Sequence, residues 1–392
     1  MNAGFNTRTA LTAGALPTIL PLQNVPVYYR SPANLRRWQA ALAKLRAGTY
    51  RPRIVFIGDS KTMAAGAGTN STNTWTTDAE KRSKIAHLVR LLNAAGIPAN
   101  RQAWFASSGL ASPAAKVGYD PRLVINTGWS GGNQTLGGVM WATNGTTRLD
   151  FTPEGQVDTV VTFSKQRAND GILTVSADGG SALSTINGSP NGGSTVDGFI
   201  KTTTTLTKGT HTFNMVRTSG GYVSLAGQIA YDSTVPAVDV INGGAFGTVS
   251  AYHSSNGNAN YWNAANFLPT LQPDLVVIQL GSNDLNTGVS VETYTANILD
   301  IITKAKAAGA DVVLEVATFG NSGGYGTDAQ REAFRQALIG LGASQGCIVV
   351  DHAARFVNFA NANALGLMRD AIHETEPGYA DEAQALASAL LF

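Results

Sequence analysis

A serine, a histidine and a carboxylate in this chain are of the types that carry out acyl transfer. Ser60 follows closely on the apolar run at residues 54–57. Such a run predicts a strand buried on both faces, and open α/β sheets bind ligands at the carboxyl ends of their strands. Near the other end of the chain, Asp370 lies shortly before His373. Because a histidine can take a serine proton while an aspartate orients the imidazole, these residues predict a nucleophilic serine site.

Acyl transfer also needs hydrogen-bond donors for the oxyanion, and two further stretches offer them. The apolar run at residues 275–280 leads into Asn283, whose carboxamide would lie at the same sheet edge as Ser60. A glycine-rich loop follows the run at residues 238–241, and Gly247 in it could present a bare backbone N–H. Gly131 lies in a second loop that also follows an apolar pair. The residues alone leave Gly247 and Gly131 both open as the glycine donor.

These side chains would be positioned by a sheet whose strands end at one edge. Five apolar runs are separated by segments with helical periodicity, and Ser31-Pro32 and Gly48 have the types that begin and end a helix. Strands that alternate with helices predict an α/β fold, a three-layer arrangement around a five-stranded parallel sheet. The predicted strands lie at residues 54–57, 238–241, 275–280, 312–316 and 348–350.

The sequence pattern changes between the first and second of these strands. Residues 121–235 show no helical period and consist of short β-branched runs separated by Gly, Asn and Asp clusters. Such punctuation predicts an inserted β-sandwich domain. We therefore divide the chain into an N-terminal arm and helix (1–50), the first part of the α/β domain (51–120), the insertion, and the second part of the α/β domain (236–392).

Composition excludes several classes of function. The formal net charge of +2 gives no electrostatic basis for binding nucleic acid. No apolar run reaches the length of a membrane span. Cys347 is the only cysteine, and His211 and His253 have no nearby ligand set, so we do not expect a metal site. The stretch at residues 9–22 is interrupted by prolines, which favours an extended arm over a signal peptide.

Three motifs in order resemble the conserved blocks of the SGNH hydrolases, a branch of the GDSL esterases and lipases. Gly58-Asp59-Ser60 resembles the first block, Gly281-Ser282-Asn283-Asp284 the third and Asp370-Ala371-Ile372-His373 the last. The resemblance covers residues 51–118 and 236–392. It implies the SGNH or flavodoxin-like form of the α/β fold.

The resemblance also implies a role for each site residue. Ser60 would be the nucleophile, His373 the general base and Asp370 the residue that orients it. The backbone N–H groups of Ser60 and Gly247 and the side chain of Asn283 would form the oxyanion hole. No metal or cofactor is implied.

Two assignments have competitors within the sequence. Gly131 is the alternative to Gly247, which we prefer because a continuous loop, helix and strand then connect it to Asn283. His352 competes with His373 as the base because Asp351 precedes it at a strand end. Neighbouring residues on a strand point to opposite faces, so Asp351 and His352 are poorly placed to pair.

The inserted β-sandwich resembles carbohydrate-binding modules and the insertions that split certain carbohydrate O-acetylesterases. This resemblance implies an esterase that removes O-acetyl groups from a polysaccharide or glycan. The alternatives are a lipase or thioesterase for longer acyl chains, and a structural or adhesive glycan-binding protein with secondary esterase activity. We expect an extracellular, cell-surface or virion location, and the sequence does not indicate an oligomeric state.

Overall fold

The computed structural model describes residues 26–68, 78–105, 113–132, 135–142, 147–190, 197–257, 261–318, 320–321 and 325–391. The strands in chain order are β1 (Val27–Tyr28), β2 (Arg53–Gly58), β3 (Ala99–Asn100), β4 (Ala103–Phe105), β5 (Leu123–Ile125), β6 (Trp129–Gly132), β7 (Val139–Ala142), β8 (Arg148–Phe151), β9 (Val157–Gln166), β10 (Ile172–Ala177), β11 (Ala182–Asn187), β12 (Gly198–Gly209), β13 (Phe213–Ser219), β14 (Val223–Tyr231), β15 (Val238–Gly244), β16 (Leu275–Gln279), β17 (Asp311–Val316) and β18 (Ile348–Asp351). The α-helices are α1 (Arg36–Arg46), α2 (Lys84–Ala94), α3 (Pro113–Tyr119), α4 (Ser250–His253), α5 (Ala264–Leu271), α6 (Ser282–Asn286), α7 (Val291–Ala307), α8 (Asp328–Gln345), α9 (His352–Phe356), α10 (Phe359–Ala364) and α11 (Glu376–Leu390).

The central sheet has the strand order β1-β18-β17-β16-β2-β15-β3. The five predicted strands are confirmed as β2, β15, β16, β17 and β18, which pair in parallel. Two short edge strands extend the sheet, β3 in parallel and β1 antiparallel. Both edge strands have two residues, which is too short for a detectable hydrophobic period.

Helices cover both faces of this sheet, which gives the predicted three layers. Val55 and Ile57 of β2 belong to the apolar core shared with α5, α7 and α8. Ile54 and Phe56 belong to the core on the opposite face, shared with α1, α2 and α11. Because both faces are covered, the strands read as continuous apolar runs rather than as alternating ones.

Three neighbouring strands of the sheet end at the same level. Gly58 at the end of β2 lies opposite Gly244 of β15 and Gln279 of β16 in the parallel register. The loops that follow these strands therefore leave the sheet side by side. This edge is where Ser60 and Asn283 are expected from the sequence.

The predicted insertion is confirmed as two antiparallel sheets between β3 and β15. One has the order β11-β10-β13-β8-β5, and the other has the order β12-β9-β14-β7-β6 with β4 paired to β14. Their facing sides enclose an apolar core that includes Phe151, Phe213 and Trp129. Antiparallel pairing already begins at β4, ahead of residue 121. The pair Trp104-Phe105 at that point gives too short a run to predict a strand.

The insertion and the α/β body share one hydrophobic core. Phe105 of β4 and Phe163 of β9 pack edge-on against Phe267 of α5, with ring centroids 6.1 and 5.6 Å away. Phe199 of β12 stacks on the same ring at 4.2 Å. Among the described helices, none has the length and apolarity needed to cross a bilayer.

Candidate active site

Ser60, His373 and Asp370 form one hydrogen-bonded chain at the carboxyl end of β2. The Nε2 atom of His373 lies 2.9 Å from Ser60 Oγ, and its Nδ1 atom lies 2.8 Å from Asp370 Oδ2. When the Nδ1–H group donates a hydrogen bond to the carboxylate, the lone pair on Nε2 can accept the serine proton. The structure thus brings together the three residues that the sequence suggests, from positions far apart in the chain.

A tight turn fixes the serine. A Cβ atom on Gly58 would lie 2.7 Å from the Gln279 carbonyl oxygen, so no larger residue fits between β2 and β16 there. After Ser60 the chain turns at once, because Met63 N donates to Asp59 O at 3.1 Å and Ala65 N donates to Ser60 O at 2.9 Å. The turn holds the Ser60 side chain against the histidine ring.

The carboxylate is held by its own turn. Asp370 Oδ1 accepts hydrogen bonds from Ile372 N at 2.9 Å and His373 N at 2.8 Å. Burial by itself would raise the pKa of Asp370, but hydrogen bonds and charge from His373, with the backbone N–H groups, lower that pKa to about 2. The group is therefore ionised at neutral pH and can keep the Nδ1 proton of His373 in place.

Asn283 lies between two loops of the proposed oxyanion site. Its Nδ2 atom donates to Thr248 O at 3.0 Å and to Asp59 Oδ2 at 3.3 Å. Burial raises the pKa of Asp59 to about 6, although the Lys61 backbone N–H and the charges of Lys61 and His373 act in the opposite direction. The carboxamide is thus fixed beside the residue that precedes Ser60.

The loop that carries Gly247 is ordered by a short chain of hydrogen bonds. Thr248 Oγ1 donates to Ala245 O at 2.7 Å and lies 2.9 Å from His253 Nε2. Burial lowers the pKa of His253 to about 4, so its neutral ring can donate from Nε2 to the threonine oxygen. Gly247 itself has a φ of +68°, which favours glycine, and open space lies around its Cα.

The structure places the two candidate glycines differently. Gly247 directly precedes Thr248, whose carbonyl oxygen holds the Asn283 side chain. Gly131 lies within β6, paired with Met140 in an antiparallel sheet of the insertion. A Cβ atom there would lie 2.7 Å from Cε of Lys116. The geometry favours Gly247, while its part in the reaction remains a proposal.

The competing histidine has a different partner. His352 is fully buried at the start of α9, and its Nε2 atom lies 2.9 Å from Glu315 Oε1. The other carboxylate oxygen of Glu315 lies 2.5 Å from Lys84 Nζ. As expected, His352 does not pair with Asp351, whose Oδ2 accepts from Arg335 Nε at 2.6 Å.

Sequence reasoning missed one buried pair beside the site. Lys61 and Glu374, the residues directly after Ser60 and His373, form an ion pair. The available signal was a charged residue next to each of two side chains that must meet inside the protein. Among the described residues, no group of three or more His, Cys, Asp or Glu side chains could hold a metal ion.

A small, mostly apolar cavity, partly open to solvent, lies next to the site residues. Gly281 and Ser282, which precede Asn283, and Ile372, which precedes His373, form part of its wall. The apolar side chains that line it are Leu280, Leu285, Val316, Phe334, Leu338 and Ile372. Tyr325, Arg331 and Arg335 add polar groups to the wall.

The sequence model of one protein family, the GDSL-like lipase/acylhydrolase family, matches residues 192–380. This range includes Asn283, Asp370 and His373 but not Ser60. No curated protein sequence matches significantly.

Several solved structures are similar to parts or nearly all of this chain. A structure titled "Peptidoglycan O-acetylesterase in action, 5 min" matches with a TM-score of 0.66 and 16% identity, over 93% of this chain and 97% of that one. A family two carbohydrate esterase from Clostridium thermocellum in complex with cellohexaose matches with a TM-score of 0.31 and 11% identity, over 68% and 97%. The corresponding esterase from Cellvibrio japonicus gives 0.29 and 13%, over 73% and 96%. Over residues 192–380, just under half of its length, the chain is similar to the GDSL-like lipase/acylhydrolase family, the SGNH hydrolases.

Proposed function

We propose that this protein is a serine esterase that removes O-acetyl groups from a polysaccharide or glycan through an acyl-enzyme intermediate. The observation that carries the proposal is the hydrogen-bonded chain from Asp370 through His373 to Ser60. A serine hydroxyl is a weak nucleophile until a base takes its proton, and here His373 is the base in contact with the hydroxyl.

The reaction has two halves. In the first, Ser60 Oγ attacks the acetyl carbonyl carbon while its proton passes to His373 Nε2. The sugar oxygen then leaves with that proton, and the acetyl group stays on Ser60. In the second, water attacks the acetyl-serine and gives a proton to His373. The bond between Ser60 Oγ and the acetyl carbon then breaks, His373 returns the proton to Ser60 Oγ, and acetic acid leaves and ionises to acetate. Asp370 stabilises the imidazolium formed in each half.

The oxyanion of each tetrahedral intermediate would be held by three donors. These are the backbone N–H groups of Ser60 and Gly247 and the side chain of Asn283. The Asn283 side chain makes two hydrogen bonds, and the longer one, at 3.3 Å to Asp59, is the one that an oxyanion would most easily replace. The bond to Thr248 O would keep the carboxamide in place during that exchange. Donors fixed before the reaction need little reorganisation as charge develops.

The choice of an acetylated glycan rests on two kinds of support. The structure with the same fold over 93% of this chain bears a title that names a peptidoglycan O-acetylesterase. The chain also carries an inserted β-domain, which the sequence resemblance links to carbohydrate esterases. A shared fold does not fix a substrate, so this part of the proposal depends on assay. An acetylated polysaccharide would suit an extracellular, cell-surface or virion location.

One observation favours a second candidate, an esterase or thioesterase for longer acyl chains. The cavity beside Ser282 and Ile372 would offer a longer acyl chain an apolar wall to pack against. Leu285 forms part of its wall. If this cavity receives the acyl group, a tryptophan at this position should block long chains while it spares acetate.

The test compares acyl chain length and acceptor. We would measure kcat/KM for p-nitrophenyl acetate and octanoate in the wild type, Leu285→Trp and Ser60→Ala, and acetate release from a panel of acetylated polysaccharides. Preference for acetate, with release from at least one polysaccharide, supports the proposal. Preference for octanoate that Leu285→Trp removes favours the second candidate. A folded protein inactive on every ester would favour the structural or adhesive alternative.

A further inference from the structure

A buried ion pair connects the nucleophile segment with the base segment. Nζ of Lys61 contacts Oε1 of Glu374, and the two residues are 0% and 2% exposed. Nζ also donates to the carbonyl oxygen of Thr318, at 3.3 Å, in the segment after β17. The lysine therefore joins the chain segments that follow β2 and β17 to the one that precedes α11.

The same two segments are pressed together beyond the ion pair. Gly66 has a φ of +94°, and a Cβ atom on it would lie 2.5 Å from Glu374 O and 3.1 Å from the Cβ atom of His373. The hydroxyl of Tyr379 donates to Ala65 O at 2.7 Å. Backbone packing thus brings the two segments into contact, and the ion pair links one side chain from each of them.

Stability alone gives a poor reason for this pair. Taking two charges out of water is costly, and well-packed apolar side chains of similar volume often stabilise a protein as well or better. An ion pair differs from an apolar contact because its geometry is directional. A directional contact is useful where a small displacement changes the chemistry, as at the 2.9 Å separation of Ser60 Oγ and His373 Nε2.

We propose that Lys61 and Glu374 are positioning residues for ester hydrolysis, which hold Ser60 and His373 in hydrogen-bonding geometry. The inference rests on the proposed function, because it requires Ser60 to be the nucleophile. Both side chains are buried and paired with each other, so we expect neither to contact the substrate. Loss of the pair should therefore slow the chemical step without weakening the binding of substrate.

The test uses an uncharged double variant, Lys61→Met/Glu374→Leu, which removes both charges and leaves neither unpaired. The control is Arg355→Met/Asp381→Leu, because Arg355 and Asp381 form another buried pair, between α9 and α11, that does not adjoin the triad in the chain. For each protein we would measure kcat and KM for p-nitrophenyl acetate and the midpoint of thermal unfolding.

We expect the Lys61/Glu374 variant to lose about 10–100-fold in kcat, since a displacement of about 1 Å can cost about 100-fold, with KM nearly unchanged. The control variant should keep the wild-type kcat even if its unfolding midpoint falls as far as that of the Lys61/Glu374 variant.

A wild-type kcat in the folded Lys61/Glu374 variant would overturn the inference, and so would an equal loss of kcat in the two double variants. If the double variant does not fold, Glu374→Gln should still lower kcat at constant KM, and an unchanged kcat would contradict us. An inactive wild type would overturn the proposed function and the inference together, whereas an active wild type with active variants overturns the inference alone.

Discussion

The α/β body and the inserted β-domain bury their strands in different ways. In the body, β16 is buried at every residue, because helices cover both faces of the parallel sheet. In the insertion, β11 and β12 carry exposed or half-buried residues along nearly all of their length, whereas β9 and β14 are buried almost throughout. Displacing a strand of the body would therefore disturb two packed layers, whereas the outer face of the insertion can vary.

This difference explains where the candidate site lies. Ser60, Asn283 and Gly247 follow β2, β16 and β15, which end side by side in the rigid sheet. Sites built on such elements hold their side chains more accurately than sites on loops of an exposed sheet. The insertion nevertheless packs on this body through Phe267, so the two regions differ in burial but share a core.

The largest expected effect concerns the body, at the base. His373→Ala should lower kcat by about 10⁴–10⁶-fold, because the members of a serine triad act as a unit. His352→Gln is the matched control, since His352 is buried and paired with Glu315 instead. The measurement is kcat on p-nitrophenyl acetate, with folding checked by circular dichroism. A folded His373→Ala enzyme with near wild-type turnover, beside an inactive His352→Gln enzyme, would move the base to His352.

The boundary between the two regions is tested by the ring that they share. Phe267→Ala should destabilise the protein by about 3–5 kcal/mol, the usual cost of removing a buried phenylalanine. Because Phe105 and Phe163 of the insertion pack on this ring, we expect the two regions to unfold in one transition. Phe213→Ala, within the insertion's own core, is the comparison. Calorimetry that resolved a separate transition for the insertion would show an independent domain.

The oxyanion donor should give a smaller effect than the base. Asn283→Ala should lower kcat by about 10²–10³-fold, or roughly 2.7–4 kcal/mol, with little change in KM, because the donor acts on charge present only in the transition state. Asn286→Ala is the control, since Asn286 is an exposed residue of the same short helix. Equal activity in the two variants would remove Asn283 from the oxyanion site.

The smallest expected effect is on stability in acid. Because the pKa of Asp370 is lowered from 3.8 to about 2 in the folded protein, its contribution to stability is present above about pH 4 and is lost as the pH falls toward 2. The difference in unfolding midpoint between the wild type and Asp370→Asn should therefore shrink over that range. A constant difference for Asp370→Asn would contradict the ion pair with His373.

The strands of the body were easier to predict from the sequence than those of the insertion, because burial on both faces makes each of them a continuous apolar run. Three of the body's five parallel strands also end in recognisable motifs. In the insertion, β4 is a three-residue strand whose partner, β14, lies far away in the chain, so the start of antiparallel pairing was not visible. A short strand is defined by its partner rather than by its own residues.

Within the site, side-chain types were predictable but their neighbours were not. Ser60, Asp370 and His373 follow from motif and chemistry. The pair Lys61–Glu374 joins two segments at opposite ends of the chain, and its one signal in the sequence is that each residue directly follows a member of the predicted triad. The choice between Gly247 and Gly131 likewise needed the tertiary structure, because both lie in glycine-rich stretches.

The central claim is that Ser60 carries the acyl group during ester hydrolysis. The most direct measurement is to quench the reaction with p-nitrophenyl acetate in acid and locate the acetyl group by peptide mass spectrometry, in the wild type and in Ser60→Ala. We expect acetylation of the peptide that contains Ser60 in the wild type, and neither that adduct nor turnover in Ser60→Ala. Turnover that survives in Ser60→Ala, or a transient acetyl group on a different residue, would contradict the account.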